Sequence, residues 1–456
     1  MSPSPLPADL VLTGGAVLTL DDRDTEGTAI AVRGGRIVHV GDDAGALALV
    51  GEGTRHIELD GRAVIPGINE SHFHATWLGA IWPATIMDGL AGGSGFAQST
   101  TLETSAQRRA AILKAGDVAA SLGITSYTEP GLGPGEDDGA TGACGSDVIA
   151  QYRALAAEGL LRARVTVLML FGEIDGPSSL DDFRDGMAAL ADASGGPHDL
   201  DSEWLRIGGI KVFADGIPPM RSAWIHGHYP DGSHGELLVG GADEAEREAN
   251  MRAMITLAHE LGYQVGVHAT GDRSIDTVAD AVASLEPADL RHYVIHGDLV
   301  SRSTLERMAG LGMGLNTQAG LAPATGGMLA AALSPEVAAS AWPLADALAA
   351  GIRLCLSSDA PVLSPDWRVG IAAAAEWAGE GRLGDARQTM LTLLRAYTVH
   401  PAWQDRAETW KGALSVGKVA DLCVLARNPL EVAPAQLPGV DVELTIAGGR
   451  VVFERG

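Results

Sequence analysis

Two histidines, His72 and His74, close the run VIPGINESHFH at residues 64–74. Side chains alternate across a strand, so imidazoles at i and i+2 project to the same side and can reach one metal ion. Three more metal-type side chains end apolar runs of their own: His268 closes VGVH, His296 closes YVIH, and Asp359 follows LCLSS. A single histidine in such a place is ordinarily a core residue. Four histidines and an aspartate in matching places point instead to a cation site shared between strands. A nitrogen-rich donor set suits zinc; manganese, iron and cobalt stay open on sequence alone. A bound divalent ion lowers the pKa of water from about 15.7 to near 7, making hydroxide available at neutral pH.

Lys211 sits inside the apolar run IKVF. An ammonium taken into an apolar interior is costly unless it is paired or neutralised. One reading is an ion pair with a carboxylate such as Glu129 or Asp215. The favoured one is chemical: a buried lysine with a lowered pKa is a free amine that adds to carbon dioxide and loses a proton. The resulting carbamate is an anion with two oxygens, suited to bridging two cations.

These residues need elements that bring them to one place. Eight apolar runs succeed one another: VIPGINESHFH, GITSYTEP (123–130), ARVTVLMLFG (163–172), IGGIKVFADG (207–216), YQVGVHATG (263–271), HYVIHGD (292–298), GMGLNTQ (312–318) and IRLCLSSDAPV (352–362). Helical stretches such as AQRRAAILKAGDVAASLG (106–123) and NMRAMITLAHELG (250–262) separate many of them. Strand–helix alternation predicts an α/β fold, and eight units predict a closed (β/α)8 barrel of the TIM type. An open doubly wound sheet is the alternative, but no Gly-x-Gly-x-x-Gly fingerprint follows an early strand. In a barrel, functional side chains gather at the carboxyl ends of the strands, where all five ligand-type residues fall. Both chain ends are written differently, as short strand candidates punctuated by Gly-Gly or Asp-Gly turns. Neither is large enough to bury a core alone, so they are expected to pair in a small β-sandwich domain. The expected division is 1–62 and 406–456 for the two parts of that domain, with the barrel over 63–405.

Bulk properties narrow the function. The chain has 456 residues, 46% of them hydrophobic and 20% charged, which suits a large globular core. A formal charge of −26 repels polyanions and disfavours nucleic acid as a partner. Cys144, Cys355 and Cys423 are widely spaced, and an odd count argues against a disulfide framework. No apolar stretch reaches the roughly 18 residues of a membrane span. The start, MSPSPLPADLVLTGG, lacks a basic and apolar leader pattern, so the cytoplasm is the expected compartment. The expected partner is a small-molecule substrate, with a homodimer as the default assembly.

The strings PGINESHFH, IKVFADG, VHATGDRSIDTVADA (267–281), RHYVIH (291–296), SSDAPV (357–362) and the tail RQTMLTLLRAYT … KGALSVGKVADLCVL occur in an order that resembles the amidohydrolase superfamily. Within it the chain looks most like the branch that includes N-substituted formamide deformylases. The resemblance implies that His72, His74 and Asp359 bind one metal and His268 and His296 a second, with carboxylated Lys211 as the bridge. It implies Asp359 as the catalytic group that holds the nucleophilic water, takes its proton and passes it to the leaving nitrogen. Two zinc ions per chain and hydrolysis of an amide, formamide or cyclic amide C–N bond follow as expectations. Glu70 stands where relatives more usually carry Asp. The stretch from Ala75 to Leu122 is short beside relatives with a substrate-enclosing insertion, which leaves the substrate open. Single-metal deaminases of the superfamily commonly carry a glutamate three residues after the fifth-strand histidine. Here His268 is followed by Ala269, Thr270 and Gly271, which favours amide hydrolysis over deamination of an aminated heterocycle. A catalytically silent scaffold is the reading of another class; the intact ligand set argues against it.

Loops beyond barrel strands carry specificity, so substrate contacts are expected from Met220, Arg221, Trp224, His226, His228 and Tyr229 after the fourth run. Trp77 and Trp82 are placed to wall an apolar pocket, with ordinary packing as the alternative. Arg221 has two readings, a substrate carboxylate anchor or a surface arginine. Asp215 reads as a turn residue or as an anchor for a neighbour of the site. The histidines of WIHGHYPDGSHG fit a polar rim loop better than another metal site.

Overall fold

A computed structural model describes residues 6–91, 101–194 and 202–456. Each of the eight apolar runs supplies one strand to a single eight-stranded parallel sheet. We number these β1 (Ile68–Glu70), β2 (Ile124–Leu132), β3 (Arg164–Leu170), β4 (Leu205–Phe213), β5 (Gln264–Ala269), β6 (Tyr293–His296), β7 (Gly314–Thr317) and β8 (Arg353–Leu356). Strands covered on both faces read as continuous apolar runs, and every residue of β2, β5 and β6 is buried. Sequential neighbours pair from β1 through β8. The barrel closes just past the strand ends. There Phe73 bridges Ala360, the His74 N–H donates to the Ala360 carbonyl at 2.8 Å, and the Asp359 N–H donates to the His72 carbonyl at 3.1 Å. The closing seam is thus made by the His-x-His segment and the segment carrying Asp359.

Helices cover the barrel as the alternation predicts. The helix Ser105–Ser121 starts at a capping box between Thr104 and Gln107 and buries Ala111, Ile112, Ala115, Val118 and Ala119, the spacing of one helical face. The helix Glu244–Glu260 starts at Asp243, whose carboxylate accepts from the Glu246 N–H. Residues 92–100, inside the stretch read as short, lie outside the described residues.

The two ends of the chain build two further sheets. Strands Arg36–Gly41, Ala29–Arg33, Leu10–Thr13 and Arg55–Glu58 form one of four strands; Arg450–Glu454, Val442–Ala447, Leu422–Leu425, Ala63–Pro66, Ala16–Leu18 and Glu26–Gly27 form one of six. Ala63–Pro66 pairs antiparallel with Leu422–Leu425, so the ends do meet. Leu12, Ile30 and Val32 of the first sheet share an apolar cluster with Val17, Val64, Leu422 and Ile446 of the second. Gly67 then leads into β1, where a Cβ would collide with the Thr125 side chain.

The floor of the barrel is a plug. The helix Val399–Gln404 ends against the amino ends of the strands. Its last carbonyls accept from Arg291 (to Trp403, 2.8 Å), Gln264 (to Gln404, 3.0 Å) and Arg206 (to Asp405, 2.8 Å), cations and an amide where helix carbonyls lack partners. Buried Asp405 accepts from Asn69 at 2.8 Å, from Thr128 at 3.3 Å and from Lys411 at 2.6 Å. Lys411→Met leaves that carboxylate charged and unpaired, and is expected to cost about 3–5 kcal/mol. Urea unfolding of the variant measures it; a loss under about 1 kcal/mol means the floor does not depend on the pair.

Among the described residues, no helix is long and apolar enough to cross a membrane. The three cysteines are buried and unpaired.

Candidate metal centre

β1, β5, β6 and β8 deliver their ligand-type side chains to one end of the barrel. Asp359 Oδ1 lies 3.1 Å from His72 Nε2 and 3.4 Å from His74 Nε2. The His72 ring is 5.2 Å from that of His74 and 5.4 Å from that of His296; the His268 and His296 rings are 4.4 Å apart. Five side chains from four strands therefore form one continuous cluster, and all five are buried. Donor atoms of His72, His296 and Asp359 lie within 4.8 Å of one another. His296 and Asp359 both hold left-handed backbone, with φ of 72° and 56°, which costs energy in a non-glycine residue and gathers at functional sites.

The electrostatics favour a cation. Burial holds His72 and His268 well below the ordinary imidazole range and brings His296 to about 4, so all three are neutral. Burial also pushes against ionised Asp359, but the neighbouring His72 and the hydrogen bonds from His72 and His74 hold it well below the usual carboxylate range. Two tautomers follow from the partners. The Gly216 carbonyl can only accept, so at 3.2 Å from His268 Nε2 it takes that proton and leaves Nδ1 with a lone pair. Gln318 donates its amide N–H groups to Ser357 at 2.8 Å and Asn316 at 3.3 Å, which turns its oxygen toward His296 Nδ1 at 2.7 Å. That fixes the proton on Nδ1 and leaves Nε2 free. Neutral imidazoles with free lone pairs around an ionised carboxylate are the donor chemistry of a divalent metal site.

Lys211 Nζ is buried and has no hydrogen-bond partner among the described residues. Burial lowers it to about 8, and the ammonium lies over the Phe213 ring at 4.5 Å. Among the described residues no carboxylate forms an ion pair with Lys211, though the charges of Asp359 and Asp175 act on it. Asp215 is saturated by the N–H groups of Trp224 (2.9 Å), Thr270 (3.0 Å) and Gly271 (2.9 Å) and by the Ser274 hydroxyl (2.6 Å). It anchors the turn that follows His268. Glu129 is held by Tyr152 and Thr76.

Most of the side chains singled out in the rim loop after β4 find protein partners. Trp224 is fully buried, donates its indole N–H to Glu244 at 3.1 Å and lies under Arg273 at 3.9 Å. Arg221 pairs with Asp231 at 2.8 Å, which supports the surface reading. Exposed His226 is 2.9 Å from Asp276 of the helix Asp272–Ala283, and exposed His228 is edge-on to His234 at 6.0 Å. Met220 is exposed, and the Tyr229 hydroxyl donates to the Ala223 carbonyl. Trp77 is different: its ring lies 6.3 Å from that of His74, and its indole N–H is buried without a partner among the described residues. Trp82 packs with it against the cluster under β1 and β2.

Glu70 and Gln318 acquire places that the sequence reading did not give them. Glu70 is fully buried, accepts from the Ser358 N–H at 2.7 Å and is pushed up by burial to about 8. It ties β1 to the segment that carries Asp359. A polar residue ending the seventh run, at the same level as the histidines, was the one signal for Gln318.

Known proteins agree with this architecture. The model of the Amidohydrolase family matches residues 86–453. The chain is 26% identical over 263 residues to the Bacillus subtilis amidohydrolase-family protein YtcJ, covering 56% of this chain and 49% of that protein. It is 30% identical over 263 residues to the N-substituted formamide deformylase of Arthrobacter pascens, covering 56% of this chain and 47% of the enzyme. The matched stretch thus spans about half the length of these two curated relatives. An uncharacterized metal-dependent hydrolase from Pyrococcus furiosus superposes with a TM-score of 0.72 at 20% identity, over 92% of this chain and all of that one. With the family model spanning most of the chain, including seven of the eight barrel strands, this chain belongs to the amidohydrolase family.

Proposed function

We propose that the protein is a metal-dependent hydrolase that cleaves an amide-type C–N bond, in an N-formyl, N-acyl or cyclic amide, of a small molecule. The observation that carries this is the convergence of His72, His74, His268, His296 and Asp359 near a buried lysine amine that has no acceptor among the described residues. His72, His74 and Asp359 would hold one divalent ion and His268 and His296 a second, with carboxylated Lys211 between them; zinc suits the donors. When bound, the ions supply Lewis acidity, polarising the carbonyl and making hydroxide available near neutral pH. Asp359 takes the proton of the attacking water at its carboxylate and returns it to the leaving nitrogen. Gln318 and the Gly216 carbonyl keep His296 and His268 in one tautomer each. Trp77, beside His74, supplies an apolar wall.

Metal analysis combined with a panel of N-formyl amines, N-acyl amines and cyclic amides tests the proposal. The expected result is about two divalent ions per chain, and hydrolysis that a chelator abolishes and added zinc restores. Ammonia release from aminated heterocycles in place of amide cleavage makes it a deaminase; a folded, metal-free and inert protein makes it a scaffold.

A further inference from the structure

We propose that Asp175, on the loop after β3, sets the substrate class: its carboxylate meets a cationic group, such as an ammonium, carried by the amide that is cleaved. This rests on the hydrolytic function proposed above and narrows its substrate. The loop is held over the mouth of the barrel from two sides. The Ile174 N–H donates to the buried Glu136 carboxylate at 2.7 Å, and the Ser178 N–H donates to the Leu238 carbonyl at 3.1 Å. Ile174 borders the metal centre. A Cβ added at Gly131, near the end of β2, would stand 3.9 Å from the side chains of both Ile174 and Lys211. Asp175 comes next, with left-handed backbone at φ 51°.

Among the described residues the Asp175 carboxylate has no hydrogen bond and no ion pair. The residue is exposed, yet the protein around it desolvates the carboxylate, and the Asp359 charge repels it; both push its pKa up, against the pull of Lys211 and His74. A group open to solvent and still desolvated faces a cleft, and the charges that act on it are those of the metal centre. The rim around it offers no free guanidinium or ammonium. Between the strand ends and the α-helices that follow them, Arg221 is the one Lys or Arg among the described residues, and Asp231 takes it at 2.8 Å. The stretches after β2 and β3 alone carry Glu136, Asp137, Glu173 and Asp175. An ammonium entering here finds a carboxylate that no protein cation pairs with, while a substrate carboxylate meets like charge. Attraction of one class and repulsion of the other together make a preference.

Matched N-formyl amines with an ammonium, a neutral or a carboxylate tail of one length supply the test. For zinc-loaded wild-type protein, kcat/KM is expected to fall in that order, with the difference in KM, and the three values are expected to converge as salt is raised. Asp175→Asn keeps the turn, because asparagine also tolerates left-handed backbone. It is expected to lower the ratio of ammonium to neutral substrate about fivefold or more, with partial recovery in Asp175→Glu. An unchanged ratio in Asp175→Asn, or a wild-type preference for the carboxylate tail, overturns the proposal. Calorimetric binding of the same formamides to metal-free protein reads the preference without turnover: the ammonium compound is expected to bind tightest, and equal binding of the ammonium and neutral compounds overturns the role of Asp175. Failure of the hydrolytic function shows separately, as zinc-loaded wild-type protein that cleaves none of the three.

Discussion

Asp359→Asn lowers kcat/KM for the best amide substrate by about 10²–10⁴-fold, the range of a lost proton-transfer group. The change keeps the size of the side chain and a carbonyl oxygen, but removes the charge and the basicity. In the native site Asp359 stays ionised despite burial, because His72 and His74 face the same oxygen at 3.1 and 3.4 Å. An amide oxygen at that point cannot accept the proton of the attacking water, and it is a weaker cation ligand. Metal content measured on the same sample divides the two roles. A variant that keeps its metal and loses kcat has lost the base; one that loses metal as well has lost a ligand. Full activity with full metal content would falsify both assignments. The left-handed backbone at this residue, φ 56°, makes the comparison clean, because asparagine tolerates that conformation as well as aspartate does.

The barrel could be read before any coordinates because its strands are covered on both faces. Their apolar runs are unbroken, and each of the eight runs places one strand of the parallel sheet. Ligand-type side chains at the ends of those runs were legible for the same reason: a polar residue closing an apolar strand stands out. His72, His74, His268, His296 and Asp359 all carry that mark, and the structure brings them into one cluster.

What escaped the sequence depends on partners far along the chain. Trp224, Arg221 and His226 look like pocket residues in a loop after a barrel strand. Glu244, Asp231 and Asp276 engage them, and nothing in the loop itself announces Glu244 or Asp276. Glu129 was legible as a buried acid within GITSYTEP, yet its direction was not. It was weighed as a partner for Lys211, whereas Thr76 and Tyr152 hold it on the His74 side. Tautomers are the extreme case. The proton on His296 is set by Gln318, whose amide is set by Ser357 and Asn316, a relay across β6, β7 and β8 that no local pattern encodes.

Lys211→Met removes more than about 100-fold of the activity, a larger loss than an outer partner of a metal site produces. Methionine matches the stem of lysine and suits the apolar surroundings, so folding is expected to survive. The reason for the large effect lies in the native amine. At a pKa of about 8 it is in part unprotonated at neutral pH, and no carboxylate pairs with it among the described residues. Its lone pair can add to the carbon of carbon dioxide while the nitrogen releases one proton, giving a carbamate. Burial alone would disfavour that anion as it disfavours the ammonium. Divalent ions held by the neighbouring histidines and Asp359 would reverse the balance, so carboxylation and metal binding should each require the other. Intact-protein mass under native conditions reads this as one added carbon dioxide that appears with zinc and disappears on acid treatment with chelator. The same coupling predicts that acetate or propionate partly restores activity to Lys211→Ala, because a small carboxylate can enter the space left by the side chain and would supply the anion that the carbamate supplies. Lys211→Met with wild-type activity, or zinc-loaded wild-type protein that never gains the mass, removes the carbamate from the site and leaves the lysine as a simple buried amine.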